Sequence, residues 1–174
     1  MTMASISARD EKPWKTDLAR ISAQRREQVQ SELEEAIAKA PSFEDALRQA
    51  VETMKTKFAR FTSITTYVAD GENLAVHTAL DRPEGPERVR SDEGPLGAAA
   101  HKDTPTVVDD LASNKEWADV GLSVGSALVA PVRTTAGLWA ILEIWSDFRA
   151  AFTPKDVQLL GKVAAALARK TPTA

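Results

Sequence analysis

Cysteine is missing altogether: the 174 residues contain none. That absence removes disulfides, thiol nucleophiles, thiolate metal ligands and thioether-linked chromophores together. Histidine is scarce, with two in the chain, so a histidine-rich metal site has few ligands to draw on. No apolar run approaches the roughly 18 residues of a membrane span, and the start has no signal-peptide apolar region. An excess of one charge is also lacking. The 22 Lys and Arg stand against 25 Asp and Glu, for a net charge of −3 and a pI near 5.5. Such a balance offers no footprint for nucleic acid or for an anionic membrane surface, and residues 1–60 mix both signs without a basic stripe. The glycine spacing matches neither a phosphate-binding loop nor a dinucleotide fingerprint, and no motif ties a His to a Ser. The expectation is a soluble, cytoplasmic protein with no cofactor, no metal and no catalytic set.

What is present is the material of a core. At 43% hydrophobic content the chain can form one globular domain plus an extension. The clearest stretch runs from Ser126 to Val163. Ala127 to Val132 and Leu138 to Trp145 are apolar runs rich in β-branched and aromatic residues, joined by Thr134-Thr135-Ala136-Gly137, a hairpin turn with Gly available for positive φ. After the loop Asp147 to Phe152, Thr153 is an N-cap, Pro154 occupies N1 and Asp156 closes a capping box. Val157, Leu160, Val163 and Leu167 then repeat at helical spacing. A hairpin feeding an amphipathic helix predicts a sheet covered by helices.

The rest of the chain follows the same logic. Residues 1–12 are polar and irregular and predict disorder, and 171–174 form a short tail. Residues 13–40 read as a helix whose apolar positions, from Trp14, Leu18 and Ile21 to Val29, Leu33, Ile37 and Ala40, form a narrow stripe on a charged rod. Such a stripe fits a second helix of its kind, or folds back on its own domain. The domain proper is expected over 41–170. Ser42 and Asp45 predict a second capping box, opening a helix with a wider apolar face: Phe43, Leu47, Ala50, Val51, Met54 and Phe58. Phe61 to Ala69 and Leu74 to Leu80 alternate about the turn Asp70-Gly71-Glu72-Asn73, a first hairpin. A polar segment, 81–94, leads through Gly94-Pro95-Leu96-Gly97 to a short helix at 98–102 and a short strand at 105–109. The long connection 111–125 contains Trp117, Ser123 and Gly125; long loops within compact domains commonly carry function.

This order of elements resembles a GAF domain. The matching residues are Glu93-Gly94 and Leu96-Gly97, then Thr104-Pro105-Thr106-Val107-Val108-Asp109, then Ser126-Ala127-Leu128-Val129-Ala130-Pro131-Val132. Leu142-Glu143-Ile144-Trp145-Ser146 followed by Ala151-Phe152-Thr153-Pro154-Lys155-Asp156 completes the pattern. The resemblance implies an α+β fold: a central antiparallel sheet of five or six strands, helices on one face and pocket-forming loops on the other. It implies a sensory or regulatory module, often dimeric through flanking helices. It departs from several branches of the family. The free-methionine-sulfoxide reductases use cysteines, and bilin receptors attach their pigment through one. The cyclic-nucleotide signature is absent, with Asn114-Lys115-Glu116-Trp117 at best a fragment.

Period-two alternation places Trp139, Ile141, Glu143 and Trp145 on one face of the last strand, with Leu138, Ala140, Leu142 and Ile144 against the helices. A carboxylate between Trp rings suits a cationic or amino-bearing ligand; the plainer reading is rings packed under the long loop, with Glu143 paired or facing water. Trp117 reads equally as a lid ring or a loop anchor. Asp109 binds a ligand hydroxyl or caps a turn, and Ser123, Gly125 and Ser126 offer a backbone anion nest. His101 reads as a helix-terminal residue. The functional expectation is a non-catalytic small-molecule sensor. It would dimerise through helices 14–40 and 154–170 and signal to a partner in trans. A ligand-free dimerisation module with a filled pocket is the alternative, and a cavity beside Glu143 separates the two; an enzyme of the same fold is a further reading, which the lack of cysteine disfavours.

Overall fold

In the computed structural model, which describes residues 13–118 and 125–172, two helices precede the sheet: α1 (Pro13–Lys39) and α2 (Phe43–Lys57). The chain then forms β1 (Ser63–Asp70), β2 (Asn73–Leu80), β3 (Arg88–Arg90), α3 (Gly94–Ala100), β4 (Thr106–Val108) and α4 (Lys115–Ala118). It closes with β5 (Ser126–Thr134), β6 (Gly137–Ser146) and α5 (Pro154–Ala168). The strands make one six-stranded sheet in the order β3-β2-β1-β6-β5-β4, with every neighbouring pair antiparallel. The sheet is therefore six strands rather than five, because part of the polar segment 81–94 pairs as β3. The fold is α+β, as the sequence predicts.

Two apolar layers sandwich this sheet. On one side α1, α2 and α5 bury Leu33, Ile37, Leu47, Met54, Leu160 and Leu167 against Ile64, Leu128, Leu142 and Ile144. On the other, a smaller cluster joins Tyr67, Leu74, Leu96, Val108, Leu111, Trp117, Val129, Ile141 and Trp145. Each fully buried Leu or Ile contributes about 1.5–3 kcal/mol. Helix α1 takes the folded-back arrangement over its second half, where Val29, Leu33, Ile37 and Ala40 enter the first core. Lys57 pairs with Glu32 at 2.8 Å across the α1–α2 contact.

Caps explain where the helices begin. Thr153 and Asp156 form the reciprocal box: Thr153 N–H donates to Asp156 Oδ2 at 2.7 Å, and Asp156 N–H to Thr153 Oγ1 at 3.4 Å. The Asp156 carboxylate also accepts from Arg26 of α1 at 2.6 Å and from Arg60, which precedes β1. At α2 the expected box is only half made. Ser42 Oγ accepts from Asp45 N–H at 3.0 Å, but the Asp45 carboxylate accepts from the Ser42 hydroxyl and Arg48 instead of the cap N–H.

The β5–β6 hairpin departs from strict alternation. Val132 pairs with Ala140 but Arg133 pairs with Leu138, so Trp139 is the extra residue of a β-bulge. The bulge exchanges the faces of two side chains. Trp139 packs on the helix side, edge-on to Phe43 with ring centres 6.0 Å apart, while Leu138 joins the opposite cluster. This corrects both expected positions. The turn itself uses Gly137 at φ 124, a conformation that a side chain strains. Gly125 serves a different purpose: a Cβ there would lie 2.3 Å from the carbonyl carbon of Phe148, so only glycine lets the two main chains meet.

Candidate functional site

The second layer of the fold encloses a cavity of about 560 Å³, between the sheet floor, the loop after β2 and the start of α3. That volume falls within the range of small-molecule sites. Glu143 and Trp145 rise into it from β6, Tyr67 from β1 and Val89 from β3. Leu96 of α3, Trp117 of α4 and Arg82 to Pro86 close the sides. Tyr67 reaches Glu143 because the β1–β6 register sets Thr65 opposite Glu143 and Tyr67 opposite Ile141, two residues away on the same face.

Glu143 is the centre of the site. It is 3% exposed, and Tyr67 Oη–H donates to its Oε2 at 3.0 Å. Burial pushes its carboxyl up to about 7, against the smaller opposing pulls of the Tyr67 hydrogen bond, the Arg82 charge and the Trp145 indole. The group therefore holds its proton well above the usual carboxylate range. Tyr67 is pushed above its ordinary range by burial and by the neighbouring carboxyl, while Arg82 opposes the rise. The Trp145 Nε1–H leans toward Glu143 yet meets no acceptor in hydrogen-bond geometry among the described residues.

Arg82 is held in place by its own loop. Its Nη2 donates to the Pro86 carbonyl at 2.7 Å and its Nη1 to the Gly85 carbonyl at 3.4 Å and the exposed Glu87 carboxylate at 3.5 Å, with the Arg82 side chain 12% exposed. The loop departs from β2 at Asp81, which takes φ 54 and pairs with Lys55 at 2.9 Å. Arg90, at the rim, is neutralised by Asp92 at 2.9 Å, Glu93 at 3.1 Å and Glu72 at 3.5 Å.

Of the residues singled out from sequence, Trp117, Glu143 and Trp145 come together here. Ile141 is fully buried in the layer beneath, as packing. Trp139 lies on the other face of the sheet, where its Nε1–H donates to Thr134 Oγ1 at 3.0 Å. Ser126 does not line the cavity: its Oγ donates to the Phe148 carbonyl at 2.6 Å and accepts from Ala151 N–H at 3.3 Å, tying down the 147–151 loop. Asp109 is exposed, and its carbonyl accepts from Ala150 N–H at 2.9 Å. Gly125 N–H is committed to the Ser146 carbonyl at 2.9 Å and is not open to the expected nest, and Ser123 lies outside the described residues. His101 ends α3, with Nδ1 at 2.7 Å from the Gly97 carbonyl. Among the described residues no cluster of His, Asp and Glu could hold a metal ion.

Sequence reasoning missed Tyr67 and Arg82. The only signal for Tyr67 was its place as the single tyrosine of an alternating strand. For Arg82 it was a lone cation opening a Pro- and Gly-bearing loop, which local pattern cannot aim.

The architecture and cavity agree with the family comparison. The pattern of the GAF domain matches residues 40–169, and the chain belongs to that family. No curated protein matches the sequence. Solved structures similar to it include a putative GAF sensor protein from Burkholderia vietnamiensis, at 20% identity and a TM-score of 0.71 over 88% of this chain and 94% of that one. The GAF domain of a phosphoenolpyruvate-protein phosphotransferase from Coxiella burnetii is similar at 16% identity and a TM-score of 0.72, over 85% and 93%. A free methionine-R-sulfoxide reductase from Neisseria meningitidis, in complex with its substrate, is similar at 21% identity and a TM-score of 0.76, over 98% and 95%. At these identities the likeness is one of fold, and enzymes and regulatory domains both share it. No helix among the described residues is long and apolar enough to cross a membrane.

Proposed function

We propose that this chain is a cytoplasmic, non-catalytic sensory module that binds a small molecule beside Glu143 and passes its occupancy to the flanking helices. The observation that carries the proposal is the cavity itself. It is about 560 Å³ and lined by Trp117, Trp145, Leu96 and Val89 together with the polar side chains of Tyr67, Arg82 and Glu143. Trp117 and Trp145 line this space without filling it, which favours binding over a plugged structural pocket. The total lack of cysteine argues against the reductase chemistry of the similar enzymes. Strand β6 supplies a route for the signal. It sends Glu143 and Trp145 into the cavity layer and Leu142 and Ile144 into the core under α1, α2 and α5. Output then requires a ligand with different affinities for two helix arrangements, read by a partner protein.

A thermal-shift screen against a metabolite panel tests the reading, with Val89→Trp as the blocked-cavity control. A ligand at 100-fold over its Kd should raise stability by about 2.7 kcal/mol, a shift of several degrees. The shift should vanish in the control. Equal shifts in both proteins would place binding elsewhere and remove the cavity from the proposal.

The same proposal includes a homodimer joined through helices 14–40 and 154–170, on the faces that the chain's own core leaves uncovered, since Val29, Leu33, Ile37 and Ala40 are already buried within it. Light scattering at micromolar concentration should return twice the 18.8 kDa chain mass. A monomer mass would end that part of the proposal and leave the cavity untouched.

A further inference from the structure

The polar groups around Glu143 in the cavity are unevenly matched, and the imbalance points to the chemistry of the ligand. Besides Tyr67, whose hydrogen is given to Glu143, three side chains carry hydrogens there. Trp145 Nε1–H has no acceptor among the described residues. Arg82 has five N–H groups to offer; two go to the loop carbonyls of Gly85 and Pro86, and its Nη1 also lies 3.5 Å from the exposed Glu87 carboxylate, which leaves Nε–H and one Nη2–H for a ligand. Glu143, when protonated, keeps one O–H beyond the bond that it accepts from Tyr67. The wall is thus rich in donors. Its one fixed charge inside the cavity is the Arg82 guanidinium, 12% exposed and oriented by its own loop before any ligand arrives.

Resting on the binding reading above, we propose that the cavity takes a small organic acid. Its carboxylate would be received by Arg82 and the Trp145 indole N–H beside protonated Glu143. Its flat apolar body would lie against Trp117, Leu96 and Val89. A carboxylate accepts from all three donors at once, and charge-assisted bonds to a guanidinium are the stronger kind. A cationic amine, the ligand class that the Trp-flanked carboxylate suggests from sequence, meets the opposite situation. It would need the buried Glu143 ionised and would stand beside the Arg82 cation.

The charged and titratable groups facing Glu143 can be counted element by element. Tyr67 comes from β1 and remains protonated, since its own proton is held more tightly than usual. Arg82 and Glu84 come from the loop after β2, where the exposed Glu87 pairs with Arg82 at 3.5 Å; Arg90 comes from β3, and Glu93 from the turn before α3. Glu84 and Glu93 are solvent-exposed at the rim, and Arg90 is already paired with three carboxylates. The described lining from α3 and α4 brings Gly94, Pro95, Leu96 and Trp117, none of them charged. Glu143 is therefore the group whose proton decides whether an anion is accepted.

The sign of the pH dependence separates the two ligand classes. Binding of an acid should hold below about pH 7 and weaken roughly tenfold per unit above it, as Glu143 ionises. Binding of an amine should strengthen with pH over the same range. Calorimetric titration of the full chain with phenylacetate, phenethylamine and phenylacetamide, at about pH 6 and about pH 8.5, reads this directly. Phenylacetate should bind best near pH 6 and lose tenfold or more by pH 8.5. Glu143→Gln should flatten the pH dependence of phenylacetate binding, while Arg82→Gln should lose the binding at both pH values. Phenethylamine binding that tightens with pH would overturn the acid and leave the small-molecule reading standing. So would phenylacetamide binding as well as phenylacetate in both the wild type and Arg82→Gln. Silence from all three probes would overturn the acid as well, and the metabolite panel then decides the broader reading independently.

Discussion

Asp156→Ala is expected to cost about 3 kcal/mol of folding stability, read as a lower urea midpoint with an unchanged slope. The carboxylate does two jobs. It completes the N-cap of α5, and caps contribute roughly 0.5–2 kcal/mol. It also receives Arg26 at 2.6 Å and Arg60, which join α1 and the chain before β1 to the same point. Breaking a fully buried pair costs about 3–5 kcal/mol, but the two Arg side chains are 26% and 34% exposed and regain water, which lowers that part. The pH dependence follows from the direction of the shift. Burial alone would raise the Asp156 pKa, but the Thr153 bonds, Arg26 and Arg60 outweigh it and hold it below its ordinary 3.8. A depressed carboxyl contributes stability that is present above its unfolded value and lost as pH falls through the folded one. The gap between wild type and Asp156→Ala should therefore narrow in strong acid and stay constant from neutral pH upward. A loss below about 1 kcal/mol at neutral pH would show that α1 is held by its apolar stripe alone.

Glu143→Gln should act in the opposite direction and in a different pH window. The carboxyl is raised from an ordinary 4.5 to about 7, so the folded state binds its proton more tightly than the unfolded state does. Wild-type stability should then decline as pH rises from about 4.5 to about 7 and level off above, with a total of about 3 kcal/mol. Glutamine keeps an oxygen to accept from Tyr67 and cannot ionise. The variant should match the wild type near pH 4 and exceed it by about 3 kcal/mol at pH 8. Denaturant melts across that range test this, and parallel curves for the two proteins would mean that Glu143 ionises inside the fold without penalty.

The two carboxyls also show where reading the sequence succeeds. Asp156 was legible because its role is local: Thr-Pro-x-Asp before an apolar helical repeat is a cap by spacing alone. The hairpins were legible for the same reason, as alternation on both sides of a glycine-bearing turn. Glu143 could be placed on the cavity face by alternation, but its protonation could not, since burial depends on what β1, α3 and the loop after β2 bring over it. Trp139 shows how alternation fails. One residue opposite the Val132–Arg133 step is left unpaired, and every face assignment before it in β6 inverts. Tyr67 and Arg82 join the site only through long-range pairing and loop closure, which leave no local periodicity. Strand β3 escaped notice because three residues, Arg88–Arg90, are too few to show an alternation.

That brevity matters beyond the count of strands. Both outer strands of the sheet, β3 and β4, are three residues long. An exposed strand edge is a template on which another chain can polymerise, and length sets how many ladder bonds such growth gains. Strand β3 covers only Asn73–Ala75 of β2 and β4 only Ala127–Val129 of β5, so each margin is stepped, and it is broken by Arg88 and Arg90 on one side and by Pro131, which has no N–H to offer, on the other. The protein should therefore stay dispersed when concentrated, and fibrils seeded from its native sheet should not grow.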